Sequence, residues 1–152
     1  MANNTEIERK FLVHSDSFKE VSSSKHEIAQ GYLCREHEKT IRVRISDDKG
    51  YLTIKSSKLR AGIARFEWER EIALSDAEEL LQLCQPPIIR KTRYIVPIKG
   101  SERVWEVDVF HGHKEGLVMA EIELGNAEDV FARPEWLGEE VTGDPQYYNA
   151  NM

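Results

Sequence analysis

Charged and apolar residues alternate along most of this chain, and this alternation constrains the fold more than any other feature. Between Arg65 and Ile72, charged side chains occupy every second position, and Phe66 and Trp68 lie between them. Successive side chains of a β-strand point to opposite faces, so a period of two predicts strands with one charged and one apolar face. The pattern predicts eight strands, at residues 6–13, 29–34, 40–45, 51–55, 65–72, 91–96, 104–110 and 119–124.

The connections between these strands are short, which favours antiparallel pairing. The turn sequence Asp47 to Gly50 predicts a hairpin between the third and fourth strands. Short helices are expected within residues 15–27, from the capping box Ser75–Glu78 to about residue 84, and at 126–131 with Asn126 as the cap. The expected fold class is therefore α+β, with the helices packed outside a mainly antiparallel sheet.

Composition and length narrow the class of protein. The 152 residues form one domain, 1–152, by the usual length expectation. A net charge of −6 argues against nucleic acid as a partner, since proteins that bind it non-specifically are usually basic. The sequence shows neither a signal peptide nor an apolar stretch long enough to span a membrane, so no membrane association and a cytoplasmic location are expected. Cys34 and Cys84 lack zinc-ligand spacing and are expected to be reduced.

The charged face of the predicted strands is almost wholly ionic. A simple alternative is a sheet with one solvated face of salt bridges. Such a face usually carries many Thr, Ser and Gln residues, and like charges in neighbouring positions repel unless a counter-ion binds them. The face comprises nine acids and seven bases: Glu6, Glu8, Lys10, Arg42, Arg44, Lys55, Arg65, Glu67, Glu69, Glu71, Lys91, Arg93, Glu106, Asp108, Glu121 and Glu123.

A closed or strongly curved sheet would place this face inward, with the apolar face covered by helices. Clustered carboxylates suit a hard divalent cation such as Mg²⁺ or Mn²⁺, which takes oxygen ligands. Clustered Arg and Lys side chains suit phosphate oxygens, and Arg binds them in bidentate fashion. A small molecule with several phosphates in a row satisfies both sets, so a polyphosphate fits better than a monophosphate.

The residues from Glu6 to Lys10 form an ExExK motif near the N-terminus. This motif resembles the signature of the CYTH family, also called triphosphate tunnel metalloenzymes. The resemblance continues through most of the chain, in the segments 30–33, 42–44, 52–55, 65–69, 91–93, 105–108, 120–123, 140–143 and 147–149. It implies an eight-stranded antiparallel β-barrel, or tunnel, and hydrolysis of inorganic triphosphate or a related compound with a divalent metal.

The resemblance also implies roles for particular residues. Those expected to bind metal are Glu6, Glu8, Glu121 and Glu123, with Asp108 and Glu69 as weaker candidates for a second metal or for orienting water. Those expected to hold the phosphates are Lys10, Arg42, Arg44, Lys55, Lys91 and Arg93. Arg65 either joins this second set or pairs with Glu67 or Glu71.

Inorganic triphosphate is the preferred substrate because the short chain has no obvious segment for holding a base or a thiazolium ring. Two alternatives stay open at this point. One is an adenylyl cyclase or a nucleoside or thiamine triphosphatase of the same family, and the other is a non-catalytic module that binds polyphosphate. A homodimer is compatible with the sequence, which does not report the oligomeric state.

Overall fold

The structure is a computed structural model and describes residues 7–36, 38–56, 66–126 and 128–152. Within these ranges the chain forms nine β-strands and one α-helix, α1 (Leu74–Gln82). The strands are β1 (Ile7–Val13), β2 (Ser24–Glu36), β3 (Lys39–Ser46), β4 (Lys49–Ser56), β5 (Phe66–Ile72), β6 (Gln85–Pro97), β7 (Val104–His111), β8 (Val118–Leu124) and β9 (Leu137–Glu140). Short 3-10 helices span Asp16–Val21, Gly112–Lys114, Pro145–Tyr147 and Asn149–Asn151.

The mainly antiparallel sheet with few helices is confirmed, with nine described strands in place of the expected eight. The strand order is β5-β4-β3-β2-β6-β7-β8-β1-β9. Its end strands are β5 and β9, so hydrogen bonds within the described ranges do not close the sheet into a barrel. No helix in those ranges is long and apolar enough to cross a membrane.

The chain divides into two compact units. The first unit comprises Met1–His26 and Thr92–Tyr147, and the second comprises Glu27–Lys91 and Tyr148–Met152. Each unit has a hydrophobic core of its own. The expectation that residues 1–152 form a single domain stays a prediction.

Aromatic rings form the centre of the first unit. Phe11 and Trp105 are almost completely buried and meet edge to face, with ring centroids 5.6 Å apart. Trp105 also meets Trp136 at 5.7 Å, and Trp136 meets Phe18 at 5.8 Å. Edge-to-face contacts of this kind add stability beyond the apolar area they bury. Because Phe11 lies on β1 and Trp105 on β7, this core fixes the strands that carry the acidic residues of the unit.

The unexpected strand β9 is attached to β1 by backbone and side-chain bonds. Arg9 donates from Nε and Nη2 to the two carboxylate oxygens of Glu140, at 2.9 and 2.7 Å. The backbone of Lys10 donates to Thr142 Oγ1 at 2.8 Å and accepts from the Val141 amide at 2.8 Å. The C-terminal region therefore supports the strand that contains the ExExK motif.

Helix α1 covers the apolar face of β3 and β4 in the second unit. Val43 and Ala77 are completely buried there. A Cβ added to Gly50 would lie 2.5 Å from the Ala77 Cβ, so glycine at this position allows the helix to approach β4 closely. The tight β3–β4 turn is also as expected: Asp47 adopts a φ of 55°, and its carboxylate accepts from the Glu27 amide at 2.9 Å.

Two expected helix starts differ from the structure. Helix α1 begins at Leu74, its N-cap is Ala73 and no side chain caps it, so Ser75 lies inside the helix. Packing of Ala77 against β4 sets this position in place of the capping box. Asn126 does accept from the Glu128 amide at 2.9 Å, but residues 128–131 form no helix. One turn closed by a side chain is too short to sustain a helix without further packing.

Candidate active site

Two of the expected site residues, Glu6 and Arg65, lie outside the described residues. The others divide between the two units. The first unit holds Glu8, Lys10, Arg93, Asp108, Glu121 and Glu123, and the second holds Arg42, Arg44, Lys55, Glu69 and Lys91. The convergence of both sets around one enclosed space stays a prediction.

Acidic residues face one another across the strands of the first unit. Glu8 on β1 is the register partner of Glu123 on β8. Glu121 on β8 has Lys10 of β1 on one side and Glu106 of β7 on the other. Like charges directly opposite on one face of a sheet are destabilising. The register therefore sets Glu8 against Glu123 and Glu106 against Glu121, and only Lys10 opposes an acid with the opposite charge among these pairs.

The pKa of Glu121 is raised by burial and by this repulsion. Burial and the neighbouring Glu8 carboxylate raise that pKa from 4.5 to about 7, and Lys10 and Arg93 offset only part of the increase. Lys10 Nζ lies 3.9 Å from the nearer Glu121 oxygen, too far for a strong ion pair. The contact with the Glu8 side chain adds to the rise in the pKa of Glu121. A divalent cation would stabilise both groups as carboxylates.

Arg93 and Asp108 form a bidentate ion pair. Arg93 donates from Nε and Nη2 to the two oxygens of Asp108 at 2.8 and 2.9 Å, and its Nη1 lies 3.3 Å from Glu106 Oε1. Burial lowers the pKa of Arg93, but the surrounding carboxylates outweigh this effect and raise it above its ordinary value. The sequence placed Arg93 on phosphate and Asp108 near a metal; both roles stay predictions, and the structure holds the two side chains together.

A cavity of about 370 Å³ lies in the first unit. Four glutamates line it: Glu102, Glu106, Glu121 and Glu123. Arg103 also lines it, and its guanidinium donates to Asp129 at 2.7 Å. The acidic lining suits a cation and would repel a free phosphate.

No group of three or more His, Cys, Asp and Glu side chains among the described residues is arranged to hold a metal ion. Glu6, the first acid of the ExExK motif, lies outside those residues. Of the residues expected to bind metal, the structure describes Glu8, Glu121, Glu123 and Asp108, and Glu8 and Glu121 interact directly. The oxygen donors and the repulsion of this pair fit a hard divalent cation.

Arg42 belongs to a polar cluster on β3, β4 and β5 in the second unit. Thr53, which is 1% exposed, donates from Oγ1 to Glu69 Oε1 at 2.6 Å. Arg42 Nη2 donates to Thr53 Oγ1 at 3.4 Å and lies 3.8 Å from the same Glu69 oxygen. The sequence placed Thr53 on the face of Lys55 but gave it no role. The cluster holds Arg42 by one end of its guanidinium.

Arg44 is positioned by Gln30, a residue outside the set of charged site residues that the sequence predicts. Its Nε donates to Gln30 Oε1 at 2.7 Å, and Gln30 is completely buried. Gln30 is neutral, so the pattern of charged residues gives no indication of its role. Its strand partner is Arg44 itself, and that pairing is the signal that identifies it.

Lys91 is completely buried although it carries an ammonium group. Its Nζ donates to Asn149 Oδ1 at 3.1 Å, and Asn149 begins the last 3-10 helix of the chain. A buried charge is stable only when polar groups surround it. Lys55, the remaining expected cation of the unit, is partly exposed on β4.

The CYTH domain model matches residues 4–148 of this chain. A protein named inorganic triphosphatase from Acetivibrio thermocellus is 47% identical over 148 residues, which cover 97% of this chain and 92% of that protein. Another protein of that name, from Nitrosomonas europaea, is 34% identical, covering 95% of this chain and 94% of that protein. The crystal structure of an inorganic triphosphatase superposes with a TM-score of 0.70 at 30% identity, covering 99% of this chain and 94% of the other.

Proposed function

This chain belongs to the CYTH domain family, and from that premise we propose that it hydrolyses inorganic triphosphate to pyrophosphate and phosphate with the help of Mg²⁺ or Mn²⁺. The observation that carries the choice of substrate is the 47% identity with an inorganic triphosphatase along 97% of the chain. The reaction needs a site for a polyanion and a site for a cation. The cations clustered in the second unit suit the polyanion, and the carboxylates clustered in the first unit suit the cation.

The phosphates bind to the cations of the charged face, which are Lys10, Arg42, Arg44, Lys55, Arg65, Lys91 and Arg93 in this proposal. Arg42 and Arg44 alternate along β3, and each is already held by a buried polar neighbour. A guanidinium fixed in this way binds a phosphate oxygen without losing much further side-chain freedom. Charge-assisted bonds of this type are roughly twice as strong as neutral ones.

The metal ligands are Glu6, Glu8, Glu121 and Glu123, with Asp108 as a further candidate. The support is the strand register that sets Glu8 opposite Glu123, together with the pKa of Glu121, which burial and the Glu8 carboxylate raise and which a bound cation would lower. When bound, Mg²⁺ or Mn²⁺ supplies positive charge that stabilises the phosphoanhydride oxygens and favours ionisation of an attacking water. Glu69 is proposed to orient water, and its carboxylate is itself held by Thr53 at 2.6 Å.

The test is phosphate release from triphosphate, ATP and thiamine triphosphate, each with Mg²⁺ or Mn²⁺. We expect triphosphate to be hydrolysed with the highest kcat/KM and cyclic AMP to be absent from the ATP reactions. Glu123→Gln should abolish metal-dependent release, whereas Glu139→Gln, the same change at an exposed position on β9, should leave it unchanged. Preferred turnover of ATP or thiamine triphosphate, or full activity of Glu123→Gln, would refute the proposal.

The small-molecule substrate is the partner that this proposal requires. A cytoplasmic location is part of the proposal, because Cys34 and Cys84 are both free thiols. A homodimer stays a prediction, and sedimentation equilibrium at several protein concentrations tests it. A single species at the monomer mass of 17.6 kDa would exclude it.

A further inference from the structure

Gln30 lies on the same face of the sheet as the cations of β3. It pairs across the β2–β3 ladder with Arg44, and the next pair on that face joins Tyr32 to Arg42. Directly paired residues share a face of the sheet, and the diagonal neighbours are within reach of long side chains. Gln30 is thus adjacent to both arginines, and it is completely buried.

The bond to Arg44 fixes which way the Gln30 amide points. Every guanidinium nitrogen is a donor, so the atom that faces Arg44 Nε at 2.7 Å must be the carbonyl oxygen. The amide nitrogen Nε2 therefore points away from Arg44. Nε2 is buried, and no acceptor for it is found within the described ranges.

A second buried donor lies on the adjacent strand β3. Arg42 Nε is buried without an acceptor in the described part of the chain, although Nη2 of the same guanidinium donates to Thr53. Buried donors without an acceptor are rare in folded proteins and are costly, so a pair on adjacent strands points to a bound acceptor. A water molecule would satisfy one of them, but the charges of Arg42 and Arg44 favour an anion.

We propose that Gln30 is a substrate-binding residue whose Nε2 donates to a phosphoryl oxygen of triphosphate beside Arg42 Nε. Its Oε1 at the same time orients Arg44 toward the phosphates. A phosphoryl group suits this position because its oxygens only accept hydrogen bonds and several of them are available at once. The identity of the anion as triphosphate rests on the proposed function, whereas the orphaned donors themselves do not.

Gln30→Glu is the most direct test. The carboxylate keeps an acceptor for Arg44, replaces the amide donor by an oxygen and repels a phosphoryl group. Titration calorimetry with sodium triphosphate in the presence of EDTA measures affinity separately from turnover, because the proposed hydrolysis requires a metal ion. We expect the affinity to fall by about 10- to 100-fold, the range for loss of a hydrogen bond to a charged group. Gln82→Glu makes the same change at an exposed position of α1 and should bind as the wild type does.

Gln30→Met provides a second variant of similar length that removes donor and acceptor without adding charge. We expect triphosphate affinity to fall by about tenfold, with KM raised more than kcat is lowered when metal is present. If Gln30 had only a packing role in the core, the substitution would change the melting temperature and leave KM unchanged. Gln30→Glu, which keeps the Arg44 bond, should melt within a few degrees of the wild type.

The outcomes decide between the two proposals. Triphosphate affinity within threefold of wild type in either folded variant would overturn the role of Gln30. So would failure of both variants to fold, which would assign the residue to the core, or absence of triphosphate binding by the wild type. Triphosphate that binds in a Gln30-dependent manner but is never hydrolysed would refute the proposed function alone.

Discussion

Replacing Glu140 by Gln tests whether an ion pair holds the C-terminal strand β9 against β1. The hydrogen bond from Arg9 lowers the pKa of Glu140 from 4.5 to about 2, and the Thr142 hydroxyl, 2.7 Å from Oε2, adds to the effect. A carboxyl group with a lowered pKa in the folded state stabilises that state only when it is ionised. The stabilisation is therefore complete above pH 4.5 and is lost as the pH falls toward 2.

The size of the effect follows from the shift and from its exposure. Each unit of pKa corresponds to about 1.4 kcal/mol, so the full shift would give an upper bound of about 3 kcal/mol. The Glu140 side chain is 32% exposed and that of Arg9 is 22% exposed, so solvent screens the pair. Exposed pairs contribute about 1 kcal/mol at most, and the bidentate geometry places this one near that limit. The melting temperature should fall by about 2–4 °C.

Urea unfolding of wild type and Glu140→Gln at pH 7 and at pH 2.5 measures the difference. We expect a lower free energy of unfolding for the variant at pH 7, with most of the gap closed at pH 2.5. Glu139→Gln, on the exposed adjacent position, serves as the control and should match the wild type at both values. A gap of equal size at both pH values would show that packing, and not the charge of Glu140, holds β9 in place.

Three further substitutions test the site. Glu8→Gln removes one carboxylate of the Glu8–Glu121 pair. Phosphate release with Mg²⁺ should fall to background while the circular-dichroism spectrum is unchanged. Substantial residual turnover would argue against metal binding by Glu8. Lys91→Met removes a completely buried ammonium, and KM for triphosphate should rise about tenfold or more; an unaltered KM would remove Lys91 from the phosphate site. Thr53→Val keeps the side-chain shape but deletes the bond to Glu69, which should lower the free energy of unfolding by about 1–2 kcal/mol. Urea titration measures this last change, and a neutral result would mean that water replaces the hydroxyl.

The period-two pattern predicts most strands because burial of one face enforces it. Strand β9 escaped this reasoning for a physical reason. It has only four residues, Leu137–Glu140, without a regular alternation, and its place is set by pairing with β1 and by the Arg9–Glu140 ion pair. Such long-range contacts leave no local signal. Arg9 occupies one of the unspecified positions of the ExExK motif, so the motif does not predict its ion pair with Glu140.

The charged residues of the candidate site could be found from sequence, but their partners could not. Arg93 and Asp108 were assigned to different ligands, and only coordinates bring them into one bidentate pair. Thr53 and Gln30 are neutral residues whose importance depends on burial and on the atom they face. The alternation along β4 does place Thr53 on the face of Lys55, and the strand pairing places Gln30 opposite Arg44 and Thr53 opposite Arg42 on that ionic face.

The pairing of β1 with β8 has a consequence for how the chain is synthesised. Ile7 pairs with Leu124, so β1 leaves the ribosome well before the strand it pairs with, β8. At about 5–20 residues per second, that delay is roughly ten seconds. The hairpins from β2 to β5 join neighbouring segments and need no such wait. A stalled or truncated chain can thus pair β2 to β5 while β1 remains an unprotected edge, prone to association with other nascent chains.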